Sequence, residues 1–171
     1  MKPNAVISLM FSMLAHAALA GNNDVNGWQD TKWGMTPDEV QKAVGRPMSF
    51  ADLAKVCDKT CDEGAVLELD DYNLNNQHFV VRLWFSKPDT RLHTVSMYEK
   101  KSDEDVGSQS FPKIKTFLES IYGAPRSVSL KRGYFTVVWE IPSTKISLYS
   151  NAADQTTIVY EPRTDGETEK Q

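Results

Sequence analysis

The side chains with the widest chemical reach in this chain are two cysteines, Cys57 and Cys61, and the histidines His78 and His93, set among abundant carboxylates. A C-x-x-x-C pair can form a disulfide or, with one of those histidines, a redox or copper site. Four residues apart on a helical turn, two Cα atoms lie about 6 Å from each other, inside the range a disulfide spans. No further cysteine and no nearby histidine completes a ligand set, so in an oxidising compartment the pair reads as a disulfide. So short a loop would contribute about 2 kcal/mol in the chain-entropy model. The bridge would also stiffen Val56 to Asp62, either as plain scaffold or as a loop that contacts a partner.

Catalytic chemistry finds less support. His78 and His93 fall in strand-like runs, where a histidine without a partner motif is usually packed or solvated. Glu68, Asp70 and Asp71 cluster along the chain, yet spacing alone does not pair them for acid–base work. The run Asp103-Glu104-Asp105 has the character of a solvated segment, not of a metal site. No Gly-x-Ser-x-Gly elbow, phosphate-cradling glycine loop or paired-histidine metal motif occurs in the 171 residues. The expectation is a protein that is not an enzyme, with no metal and no cofactor.

The elements that would carry these residues are marked by their own signals. Thr36-Pro37-Asp38-Glu39 is a helix start: Thr36 as N-cap, Pro37 at the first helical position and Glu39 at the third, completing a capping box. Val40, Ala43 and Val44 form the apolar stripe, and Gly45 with Pro47 stops the helix. A second helix, begun near Pro112, carries Ile114, Phe117, Leu118, Ile121 and Tyr122 at helical spacing and ends Gly123-Ala124-Pro125. Three β-like runs follow each Gly-x-Pro: Ala65–Tyr72, His78–Phe85 and Leu92–Tyr98, then Tyr134–Glu140, Lys145–Tyr149 and Thr156–Glu161. The prediction is an α+β fold: tandem helix-strand-strand-strand repeats, about 28–98 and 109–161, forming an antiparallel sheet with helices on one face. Glu99 to Ser110 reads as a polar linker.

The ends of the chain speak to location. Met1 to Ala20 begin with one cation at Lys2, continue through an apolar run from Ala5 to Leu19 and close on Ala18-Leu19-Ala20, the layout of a secretory signal peptide with an A-x-A cleavage site. The run falls short of the roughly 20 residues of a spanning helix, and His16 interrupts it. Cleavage after Ala20 is expected to leave residues 21–163 as a single domain, with 164–171 as a disordered tail, in the periplasm or secreted. No cysteine follows the cleavage site to carry a bacterial lipid anchor. The chain has 19 Lys and Arg against 23 Asp and Glu, and cleavage removes one of the basic residues, Lys2. With no basic cluster to follow a phosphate backbone, nucleic acid is not an expected partner.

Gly34-Met35-Thr36, then Val40, then Gly45-x-Pro47 resembles the G-M-T-x-x-x-V-x-x-x-x-G-x-P motif of the small lipoprotein in the outer-membrane β-barrel assembly machine. Related motifs occur in the β-lactamase-inhibitor-like group of periplasmic domains, where tandem helix-plus-sheet repeats are also found. This chain lacks the lipid-anchor cysteine and carries a second repeat, which brings it closer to the inhibitor side of that group. The resemblance implies a domain that binds other proteins through its sheet.

Strand alternation indicates which residues such a sheet would present. Phe79, Val81, Leu83 and Phe85 share one face, with Phe135, Val137, Trp139, Ile146 and Leu148, and are assigned to the core. The other face carries Arg82, Trp84, Tyr134, Thr136, Ser147 and Tyr149, and Tyr98 and Tyr160 could join it. Tyr, Trp and Arg among small hydroxyl residues is the composition of a protein-binding hot spot, although aromatics also suit strands for packing reasons alone. The expected binding residues are Arg82, Trp84, Tyr98, Tyr134, Tyr149 and Tyr160. The expected partner is a protein, either an envelope-acting enzyme that this chain inhibits or an envelope component that it helps to assemble or bind.

Overall fold

The structure, a computed structural model, describes residues 24–57, 62–100, 110–131, 133–150 and 155–164. The predicted signal peptide, Cys61, the Asp103–Asp105 run and the tail beyond residue 164 lie outside the described residues.

Helix α1, Pro37–Val44, begins and ends where its signals stand. The Thr36 hydroxyl accepts from the Glu39 amide, the Glu39 carboxylate accepts from the Thr36 amide at 2.8 Å, and Gly45 closes the helix at φ +63°. The Gly34-Met35 dipeptide has a structural duty of its own. Gly34, at φ +83°, donates its N–H to Leu92 O at 2.9 Å, and Leu92 N–H returns to Met35 O at 2.9 Å, fixing the entry to α1 against the sheet. After α1 come a two-residue strand β1, Ser49–Phe50, and one turn of helix α2, Leu53–Val56, capped by the Asp52 carboxylate. Neither was expected from the sequence. Strands β2 (Glu63–Leu74), β3 (Gln77–Ser86) and β4 (Leu92–Glu99) then run as a meander.

Helix α3, Ser110–Tyr122, leads to β5 (Ser127–Lys131), β6 (Tyr134–Ile141), β7 (Thr144–Ser150) and β8 (Thr156–Pro162). β5 is a further strand beyond the three expected in this half. All eight strands join one antiparallel sheet in the order β1-β2-β3-β4-β8-β7-β6-β5. β4 and β8 are hydrogen-bonded neighbours, with Ser96 opposite Val159 and Met97 opposite Ile158, so the strands before and after α3 form a continuous surface.

One face of the sheet carries the core. Phe79, Val81, Leu83 and Phe85 of β3, Val137 and Trp139 of β6, and Ile146 and Leu148 of β7 are buried there, with Val40 from α1 and Ile114 and Leu118 from α3. The inward assignment of these strand residues holds. Phe135 is on the same face yet 46 % exposed; it stands toward the end of the sheet, where Phe111 of α3 meets it ring to ring at 5.9 Å.

Glu99 and Ser110 do not belong to a polar linker. Glu99 is the buried last residue of β4, and its carboxylate accepts from the Ser110 hydroxyl at 2.9 Å and from the Thr156 amide at 3.0 Å. A carboxylate at the first residue of a helix is favoured by the helix dipole and by the amides left over there. It ties α3, β4 and β8 together at one point. The segment before α1 is also pinned across the molecule: Asp24 accepts from Ser143 N at 2.8 Å and from its hydroxyl at 2.7 Å, Trp33 Nε1 donates to Thr144 Oγ1 at 3.0 Å, and Thr144 Oγ1 donates to Val25 O.

Candidate functional site on the open sheet face

The opposite face has a regular plan. A row crosses all eight strands through Ser49, Glu68, Arg82, Ser96, Val159, Ser147, Val138 and Ser127, each opposite the next. Over β4, β8 and β7 that row holds only Ser96, Val159 and Ser147. A flanking row runs Val80, Tyr98, Thr157, Tyr149 and Thr136; the other flank has Trp84 opposite Thr94, then Lys145 between Glu161 and Glu140. Small residues between larger ones make a shallow trough, with tyrosines along one wall and Trp84 with a charged pair along the other.

The large side chains of this face are held in place. Arg82 Nε donates to Glu68 Oε2 at 2.9 Å, both groups about a quarter exposed, and the guanidinium lies 5.1 Å from the Tyr98 ring centroid. Stacked and paired in this way, it presents its remaining N–H groups with few rotamers to lose. Trp84 Nε1 donates to Ser96 Oγ at 2.7 Å, which fixes the indole over the end of the trough. Ser96 and Ser147 on the floor are buried between these larger neighbours. Ser147 Oγ is the one buried side-chain polar atom among the described residues without a hydrogen-bond partner. Lys145 and Glu161 meet at 3.9 Å on the second wall, a solvent-screened pair.

The residues expected to bind are therefore divided. Arg82, Trp84, Tyr98 and Tyr149 share this face, half-buried, on β3, β4 and β7. Tyr134 stands apart at the start of β6, 52 % exposed and opposite Lys131 of β5. Tyr160 is a correction. Its register against Val95 and Ile146 puts it on the helix-covered face, where it is 4 % exposed. Thr157 and Val159 alternate with it and face the trough instead.

The titratable groups are spread out. Asp71 pairs with His78 at 2.7 Å and Asp70 with Lys100 at 3.3 Å, so the carboxylates clustered in sequence take separate basic partners. The bond from His78 holds the Asp71 carboxyl below its usual value. His93 pairs with Glu63 at 2.7 Å. Among the described residues no group of three or more His, Cys, Asp or Glu is placed to hold a metal. Cys57 is the C-cap of α2 and is not a free thiol, while Cys61 lies outside the described residues.

Sequence reasoning missed a second exposed surface. Val128 and Leu130 of β5, 58 % and 60 % exposed, lie beside Phe135 along the outer strand of the sheet. Its signal was present in Ser-Val-Ser-Leu-Lys, a short alternating run one residue after Gly123-Ala124-Pro125.

Fold and site together define an α+β protein with an eight-stranded antiparallel sheet, helices against one face and an ordered aromatic trough on the other. No family model and no curated protein matches the chain. Among solved structures it is similar to YjgB, a DUF4309 family protein from Bacillus subtilis, at 11 % identity and a TM-score of 0.43 over 75 % of this chain and 78 % of that one. A likeness of that size carries no argument about function.

Proposed function

We propose that this chain is an exported, non-enzymatic binding protein that docks a protein partner on the open face of its sheet, in the manner of a periplasmic inhibitor or immunity-type protein. The observation that carries the reading is that Arg82, Trp84, Tyr98 and Tyr149 share one face, with Arg82 and Trp84 already fixed by Glu68, Tyr98 and Ser96. Rigid aromatic and arginine side chains lose little freedom on binding, and they are the types that dominate measured hot spots. Two duplicated helix-and-sheet units are part of this reading. It is supported by the order β1-β2-β3-β4 meeting β8-β7-β6-β5, with one longer helix ahead of each set. A Cys57–Cys61 bridge fits the same reading by stiffening the loop between α2 and β2.

The test is capture from envelope extract with the chain from Gly21 onward as bait, alongside Trp84→Ala and Tyr149→Ala, with the stability of each variant measured in parallel. Loss of a true anchor costs about 2 kcal/mol or more, roughly thirtyfold in affinity. The reading expects a one-to-one complex with one soluble partner that both variants weaken by that factor. Unchanged capture by both folded variants refutes it. Recovery only with membrane complexes favours an assembly role for the same face.

A further inference from the structure

The covered face contains a cavity of about 300 Å³ between α3, the sheet and the segment before α1. Its walls include Trp28, Leu74, Met97 and Phe117, and among the described residues no Lys, Arg, His, Asp or Glu lines it. Ile121, also in the lining, is 39 % exposed and stands at the mouth. Three phenols converge on this space: Tyr72, Tyr122 and Tyr160. The Trp28 and Tyr72 rings meet edge to face at 5.2 Å, which holds Tyr72 in place.

The hydrogen bonds of the phenols decide what they can offer. Gln29 Nε2 donates to the Tyr72 hydroxyl oxygen at 2.7 Å, so the Tyr72 proton is available to another acceptor. Tyr122 and Tyr160 both line this space, and even a bond between their hydroxyls would use one of their two protons and leave the other. Burial pushes both of these phenols above their usual value, so they stay neutral donors across the physiological range. The site presents O–H donors in an apolar, aromatic chamber without a compensating charge. A charged ligand would be buried unpaired there, at heavy cost. A cavity of about 150 Å³ holds a benzene ring, so this one has room for roughly a dozen heavy atoms.

We propose that the cavity is a binding site for a small uncharged aromatic molecule bearing a carbonyl oxygen, which accepts from the Tyr72 and Tyr122 hydroxyls while its ring packs among Trp28, Met97 and Phe117. The site lies on the face opposite the trough and does not depend on the docking reading.

The test is titration calorimetry on the chain from Gly21 onward with three probes of similar size: acetophenone, ethylbenzene and benzoate. Acetophenone should bind, ethylbenzene about tenfold more weakly for want of the acceptor, and benzoate not measurably. Tyr122→Phe and Tyr72→Phe should bring acetophenone toward the ethylbenzene value. Ile121→Trp should close the mouth and abolish binding with the melting temperature retained. The proposal is overturned if neither neutral probe binds, if benzoate binds as well as acetophenone, or if folded Tyr122→Phe and Tyr72→Phe keep the parent preference. None of these readouts involves a protein partner, so failure here and failure of the docking reading are separate results.

Discussion

Replacing Glu99 with Ala should be among the most damaging single polar substitutions in this chain. The carboxylate is 7 % exposed and, among the described residues, accepts from the Ser110 hydroxyl at 2.9 Å and the Thr156 amide at 3.0 Å; the donor residues are themselves 1 % and 0 % exposed. A bond to a charged group contributes about 1.5–3 kcal/mol. Ser110 would keep its contact with the Thr156 hydroxyl at 2.7 Å, so the lower end of the two-bond sum applies, about 3 kcal/mol. For a chain of this size that is a fall in melting temperature of about 6–12 °C. Glu99→Gln leaves an acceptor oxygen in place and removes only the contribution of the charge, about 1 kcal/mol. Urea and thermal melts of both variants measure the difference, and amide exchange in the first turn of α3 should accelerate in Glu99→Ala before global unfolding. The reasoning is refuted if Glu99→Ala lies within 1 kcal/mol of the parent, or if Glu99→Gln costs as much as Glu99→Ala.

Four further outcomes are expected. Tyr160, 4 % exposed, has its phenol pushed well above the usual value by desolvation, and Tyr122 is raised for the same reason. The folded state therefore holds these protons more tightly than the unfolded chain, so their contribution is complete below about pH 10 and is lost as pH rises through the folded values. Urea midpoints at pH 8 and 11 should show this alkaline loss, and the Tyr122→Phe/Tyr160→Phe double variant should show less of it. A chain ending near Ser102 should not melt cooperatively, because it leaves β4 without β8 and removes Thr144 and Ser143, which bond Trp33 and Asp24. Protein recovered from the exported fraction should begin at Gly21 by mass spectrometry, and thiol labelling without reductant should modify neither Cys57 nor Cys61.

The parts of the fold that could be read from the sequence are those in which a local signal and the tertiary environment agree. Thr36-Pro37-x-Glu39 and Gly45 define α1 to the residue because both ends are closed by bonds within the segment itself. The strand faces were legible for the same kind of reason: in β3 every second residue from Phe79 to Phe85 is apolar, and each is buried. What escaped was decided at a distance. Ser127–Lys131 has alternation but no length, and it becomes a strand because β6 offers a paired edge from Tyr134 to Val138. Glu99 looks like the start of a linker since its type is charged, and only the approach of Ser110 and Thr156 makes its burial favourable.

The candidate site follows the same division, and Tyr160 is the instructive case. Alternation fixes the relative faces within a strand and says nothing of which face is covered, so Thr156–Glu161 needed a neighbour to settle its phase. That neighbour is β7, which sets Tyr160 opposite Ile146 and thereby under the helices. The same register turns Thr157 and Val159 outward, and their small size is what opens the trough between Tyr98 and Tyr149 on one side and Lys145 with Glu161 on the other. Had Tyr160 faced outward, a phenol would have stood next to Ser147 and filled the floor. One choice of register thus supplies a third phenol to the cavity under α3 and clears the surface where a partner is proposed to dock.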